Sequence, residues 1–283
     1  MRNFKNILFV LSTVLIVACG SDGGDTPEEP KSIIPTEGFI SAESYPNMSL
    51  VWEDDFEGTT LNSSNWTYEI GNGQSGWGNN ELQYYREENT SLVDGHLVIT
   101  AKRETVNGFQ FTSSRIVTQG KRDFQYGRID IRAALPQGQG IWPALWMLGS
   151  NFNTVGWPAS GEIDIMEMIG GNGRENTVHG TVHWRNEGQH AQAGGSRTLP
   201  ASTFVGRFYV FSIVWDEASI VWLVNNNEFY RINTTPEELD EFRNEFFFIF
   251  NLAVGGNWPG NPSSSTTFPQ RLIVDYVRVF QNN

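Results

Sequence analysis

Cysteine is nearly absent from the 283-residue chain: Cys19 is the only one, so no disulfide can close within it and packing must hold the fold together. Positive charge is scarce too. With 19 Lys and Arg against 32 Asp and Glu the formal net charge is −13, and no run of basic residues offers a track for phosphates. That balance argues against nucleic acid, and against anionic lipid as a partner of the folded part. No early apolar run is long enough to cross a bilayer, since Ile7 to Ala18 covers about a dozen residues where a spanning helix needs about 20. No repeat with a period of 20 to 50 residues is visible. Helix signals are almost missing: Thr235-Pro236-Glu237-Glu238, a hydroxyl cap with proline in the first turn, is the one clear start, and it predicts a short helix.

What is present begins with Arg2 and Lys5 ahead of the Ile7 to Ala18 run, the pattern of an export signal over residues 1–18. The run ends in Ile16-Val17-Ala18-Cys19, which resembles the bacterial lipobox, where the peptide is cut before a cysteine that carries lipid. Cys19 is thus the expected anchor; cleavage near Ala18 in an ordinary secreted protein is the alternative. Residues 19–44, rich in Gly, Ser, Asp, Pro and Glu, read as a flexible tether. The acidic Ser21-Asp22-Gly23-Gly24-Asp25 is similar to the signals of surface lipoproteins in the Bacteroidetes, so the expected location is the outer membrane or cell surface of a Gram-negative bacterium. Residues 45–283 then form one domain, expected as a monomer whose sole membrane link is the anchor.

Short apolar segments of strand character fill that domain, from Leu50-Val51-Trp52 to Leu272–Phe280, and about a dozen strands with one short helix make it an all-β sandwich. Gly71 to Glu81 is a glycine-rich loop without the lysine of a phosphate cradle, and it reads as a binding loop. Pro143 inside Trp142–Leu148 suggests an irregular or edge segment, because proline cannot supply a ladder hydrogen bond. The ten Trp and eight Tyr exceed what a core needs; about half of the tryptophans are expected inside, and the rest suit stacking on sugar faces.

The most informative stretch is Gly161 to Gly170, Gly-Glu-Ile-Asp-Ile-Met-Glu-Met-Ile-Gly, which sets three acids into an otherwise apolar strand. Glu162 and Asp164 share a face; Glu167 joins them only if the strand carries one extra residue, so a β-bulge is expected around Met166. Glu162 and Glu167 are then about four steps, roughly 13 Å, apart at their Cα atoms. Two long side chains leaning together bring the carboxyls to about 5 to 6 Å, the separation of glycosidases that retain anomeric configuration. Crowded acids repel, so one should hold its proton at neutral pH as a general acid. A solvated acidic face or a metal site would be the plainer explanation. In Thr177–Trp184, His179, Thr181 and His183 fall on one side of a further strand.

Together with Trp77-Gly78-Asn79-Asn80-Glu81-Leu82-Gln83-Tyr84-Tyr85, Trp142-Pro143-Ala144-Leu145-Trp146-Met147, Asn251-Leu252-Ala253-Val254-Gly255-Gly256 and Trp258-Pro259-Gly260, the acidic strand resembles glycoside hydrolase family 16, and within it the bacterial laminarinases that cut β-1,3-glucan. The likeness runs from about Leu50 to Phe280. It implies a β-jelly-roll of two antiparallel sheets with a concave cleft, and the bulged version of the strand, with Met166 as the extra residue. It also implies Glu162 as nucleophile, Asp164 as the residue that tunes it, and Glu167 as acid then base. Asn80, Arg115 and Asn251 would bind sugar, Trp142, Trp146 and Trp258 would form stacking walls, and His183 would sit near the cleavage point. Catalysis would need no cofactor. A structural Ca2+ is implied on the convex face at Asp55, the Gly95 carbonyl and Asp275. The expected partner is a β-glucan polysaccharide; mixed-linkage glucan or a galactan are the rival substrates, and a non-catalytic glycan-binding lipoprotein is the rival of another class.

Overall fold

The computed structural model describes residues 33–283; the export signal, Cys19 and the tether as far as residue 32 lie outside the described residues. Two large antiparallel sheets make up the fold. The outer sheet runs, in spatial order, Asn227–Asn233, Ser219–Val224, Tyr209–Trp215, Gly127–Ala134, Gln270–Asn282, His96–Ala101 and Thr90–Val93, with Met48–Asp54 also paired to Gln270–Asn282. The second sheet runs Gln189–Thr198, Thr177–Asn186, Glu162–Glu167, Ile141–Gly149, Phe246–Val254, Arg115–Val117 and Thr67–Tyr68. In each sheet a run of consecutive antiparallel strands is joined to strands distant in the chain, as Tyr209–Trp215 is to Gly127–Ala134 and Ile141–Gly149 to Phe246–Val254, which is the crossing-over of a jelly roll.

The core follows from the two-residue period. Ile129, Ile131 and Ala133 of the outer sheet share one apolar cluster with Leu145, Met147, Ile163, Val178 and Val182 of the second. Of the ten tryptophans, Trp52, Trp66, Trp184, Trp215 and Trp222 belong to this core, and Trp77, Trp142, Trp146, Trp157 and Trp258 do not, matching the expected division. The turns Asp94-Gly95 and Asn225-Asn226 carry positive φ at both residues, the hairpin geometry that Asn, Asp and Gly favour.

Three expectations are corrected. Residues 34–44 do not act as tether: Ile34 is buried against Val98, Phe208 and Ile273, Phe39 N–H donates to the Phe208 carbonyl, and Ser41 bonds Tyr276 Oη at 2.7 Å. With Tyr45 this segment covers Gly127–Ala134, which is buried on both faces although it carries Arg128, Asp130 and Arg132: the Phe39 carbonyl accepts from Arg132 Nε, and Tyr45 Oη donates to Asp130. Pro143 sits inside the nine-residue strand Ile141–Gly149, not at an edge. Its carbonyl accepts from Met168 N–H at 3.3 Å, so its nitrogen faces the same side, just past the end of Glu162–Glu167, and the proline gives up only the reciprocal bond to Met168. The predicted helix is a 3-10 segment, Glu237–Arg243, without a side-chain cap, and a four-residue α-helix at Phe152–Val155 was not anticipated. Gln83–Tyr85 and Phe111–Ser113 add one small parallel pair.

Candidate active site

The register of three strands assembles the site. Glu162, Asp164 and Glu167 lie opposite Leu148, Trp146 and Ala144 on one side, and opposite His183, Thr181 and His179 on the other. Between Asp164 and Glu167 the acidic strand has one residue more than either partner, so the bulge lies where the acids required it. Ile165 and Met166, consecutive in sequence, both enter the core, and Glu167 thereby returns to the face of Glu162. A bulge leaves backbone groups short of partners, and Trp222 from the outer sheet donates its Nε1–H to the Asp164 carbonyl at 2.8 Å. Gly180 makes room for it, since a Cβ there would lie 2.3 Å from the Trp222 ring.

Each outer acid receives an indole N–H. Trp157 Nε1 donates to Glu162 Oε2 and Trp142 Nε1 to Glu167 Oε1, both at 3.0 Å. His183 Nε2 lies 3.1 Å from Asp164 Oδ2 and 3.6 Å from Glu162 Oε1. Burial, and then the charge of Asp164, push Glu162 and Glu167 up to about 8; burial likewise raises Asp164 to about 8. Three carboxyls in one apolar-walled site therefore keep protons near neutral pH, which equips one of them to give a proton to a leaving group. The His183 ring and the Trp157 N–H both favour the ionised form of Glu162, as a nucleophile needs.

The flanking residues form two walls. Trp142 meets Trp258 edge to face at 5.6 Å, and His179 meets Trp258 at 5.0 Å. On the Glu162 side Trp157 packs on His190 at 4.6 Å, and His190 stacks on His183. Arg115 pairs with Glu69, and its guanidinium also lies over the rings of Trp77 and Trp146 at 4.4 and 5.0 Å. Asn251, opposite Arg115, accepts the Trp146 Nε1–H at 2.7 Å, so Trp146 is fixed in orientation. Asn80 is exposed on the glycine-rich loop and donates to Asn257 Oδ1 at 2.9 Å, tying that loop to the segment bearing Trp258. Asn80, Arg115, Trp142, Trp146, His183, Asn251 and Trp258 thus share with the acids the face opposite the core or its rim.

Of the residues expected to hold Ca2+, both aspartates meet protein partners. Asp275 binds Arg132 Nη1 at 2.6 Å and lies 3.4 Å from His96 Nε2, while Asp55 accepts from the Glu57 N–H of its own turn. A carboxylate committed to a guanidinium does not fit an oxygen cage for calcium. Among the described residues, the acid and imidazole donors that converge tightly enough for a metal are Glu162, Asp164 and His183.

A family model for glycosyl hydrolases family 16 matches residues 75–278. The chain belongs to that family. Within family 16 it is 41% identical over 260 residues to the Beta-glucanase of Rhodothermus marinus, covering 86% of this chain and 89% of that one. It is 42% identical to the Clotting factor G alpha subunit of Tachypleus tridentatus over 86% of its own length, but spans only 35% of that larger protein. The solved laminarinase catalytic domain of Thermotoga maritima superposes with a TM-score of 0.77 at 43% identity, covering 84% of this chain and 99% of that one.

Several residues that serve this family 16 site escaped the sequence reading. Trp157, which holds Glu162, is 46% exposed in a loop, and its only local signal is a large aromatic directly before a proline. A buried polar chain supports Asn251: its Nδ2 donates to Tyr85 Oη at 3.1 Å, and Tyr85 donates to Glu81 Oε2 at 3.2 Å. Glu81 and Tyr85 lie in the Trp77–Tyr85 motif, but nothing local distinguishes a buried Glu from a solvated one.

Proposed function

We propose that this protein is a retaining endo-hydrolase of β-1,3-glucosidic bonds in laminarin-type glucans. The observation that carries it is the delivery of Glu162 and Glu167 to one face by the bulge, each bonded to a tryptophan of the cleft wall. Glu162 attacks the anomeric carbon while Glu167 gives its proton to the departing glycosidic oxygen, leaving a glycosyl-enzyme ester on Glu162. Glu167, now ionised, takes a proton from water, whose oxygen attacks the same carbon and frees Glu162 with the original anomeric configuration. Asp164, beside Glu162, shares its proton and adjusts its charge through the cycle.

For substrate, the names of the relatives favour β-glucan, and the walls supply aromatic faces, with the Arg115 guanidinium lying over Trp77 and Trp146. The sugar contacts of this proposal are Asn80, Arg115, Trp142, Trp146, His183, Asn251 and Trp258. The reading includes export and anchoring of the domain through lipid on Cys19, supported by the basic start and apolar run before it.

The test is digestion of laminarin, lichenan, agarose and carrageenan in parallel, with product sizing and anomeric analysis by NMR. Laminarin should give short oligosaccharides with retained configuration. Activity confined to a galactan removes the substrate assignment, and inverted products remove the mechanism. If Glu162→Ser releases products at the wild-type rate, the enzyme reading fails.

A further inference from the structure

The donor atoms of Glu162, Asp164 and His183 lie within 4.8 Å of one another. An ion bound tetrahedrally at about 2.0–2.1 Å needs its donors about 3.3 Å apart, because the edge of a tetrahedron is about 1.63 times its centre-to-corner length. The two edges from His183 Nε2, 3.1 Å to Asp164 Oδ2 and 3.6 Å to Glu162 Oε1, fall on either side of that value.

A second observation is independent of the spacing. Asp164 is 3% exposed, yet its Oδ2 makes no hydrogen bond, although His183 approaches it. Buried carboxylate oxygens rarely stay unpartnered, and this one belongs to the trio of converging donors, 3.1 Å from His183 Nε2. The third lies behind the histidine: His183 Nδ1 is 2.8 Å from His190 Nε2, so in the tautomer with the proton on Nδ1, His190 accepts it and Nε2 turns its lone pair to the acids. An orienting partner on the far ring nitrogen is the usual support of a metal-bound imidazole. One nitrogen and two carboxylates suit a zinc-class ion with an open fourth position, whereas calcium and magnesium take oxygen sets.

We propose that Glu162, Asp164 and His183 bind a divalent transition ion of the zinc class in the cleft, and that the bound ion blocks glycoside cleavage. The blocking half rests on the nucleophile role given to Glu162, whose carboxylate oxygen would be held by the ion.

Titrating Zn2+ into the purified full chain without substrate, followed by calorimetry and by competition with a chromophoric chelator, reads the site directly. One equivalent should bind. His183→Ala and Asp164→Asn should each weaken binding at least tenfold, while His96→Ala and Cys19→Ala leave it within about twofold. Absence of binding, or binding that survives His183→Ala or is lost with His96→Ala, overturns the site. In a separate arm, Zn2+ should suppress laminarin hydrolysis, Mg2+ should not, and chelation should restore it. Stoichiometric binding with unchanged hydrolysis refutes the blocking half, and activity on none of the glycans refutes the enzyme reading, leaving the binding result to stand by itself.

Discussion

Replacing Glu162 by glutamine tests the electrostatics of the cleft through stability as well as activity. In the folded chain burial and the neighbouring Asp164 raise the Glu162 carboxyl from 4.5 to about 8, so it keeps a proton that the unfolded chain releases near pH 4.5. Between those limits the folded state binds more protons than the unfolded one, and stability falls as pH rises, by at most about 1.36 kcal/mol per pH unit for one proton. From pH 5 to pH 7 that is about 2.7 kcal/mol if Glu162 titrates alone. The side chain is 17% exposed and shares its proton with Asp164, so about 1–2 kcal/mol is the expected size. The contribution is complete below about pH 4.5 and gone once pH passes through about 8. Urea unfolding of wild type and Glu162→Gln at pH 5 and pH 7, followed by circular dichroism, should show the variant gaining on wild type by that amount as pH rises. A difference in unfolding free energy that stays flat between the two pH values would refute the reasoning, because the pH-independent cost of the substitution cancels in the comparison.

Glu167→Gln should lower kcat on laminarin by about 10²–10⁴, and most of the loss should vanish with an aryl glucoside whose leaving group needs no proton; equal loss on both substrates would remove the acid role. Trp157→Phe keeps a ring but deletes the N–H to Glu162 Oε2, and kcat should fall about tenfold with KM within about twofold, measured by initial rates. Gly180→Ala drives a methyl into the Trp222 ring and should cost about 1–3 kcal/mol of unfolding free energy, read by thermal and urea denaturation.

The strands were legible because alternation is local, and the bulge was legible for a particular reason: three acids could share a face in no other way. The pairing of His183 and His179 with the acids was half legible, since the period puts them on one side of their strand but says nothing of register. Coverage of Arg132 by Phe39, and of Arg128 and Asp130 by Tyr45, was hidden, because residues 34–44 have tether-like composition and the partners lie far along the chain. Pro143 misled for a geometric reason: its missing N–H faces Met168, just beyond Glu162–Glu167, so an interior position gives up a single bond at the end of the pairing. Trp157 reaches Glu162 across only five residues, but through a loop whose course no period describes.

Length changes inside a strand ordinarily turn every later side chain over. At Ile165 and Met166 two neighbours already leave the cleft face together, so the strand contains one place where a residue could be lost and Glu167 would still point at the substrate. The loss would register in the core, in the volume Met166 fills, and not in the orientation of the acid. The bulge thus separates two design problems within six residues: the cleft side keeps its chemistry while the buried side varies in length.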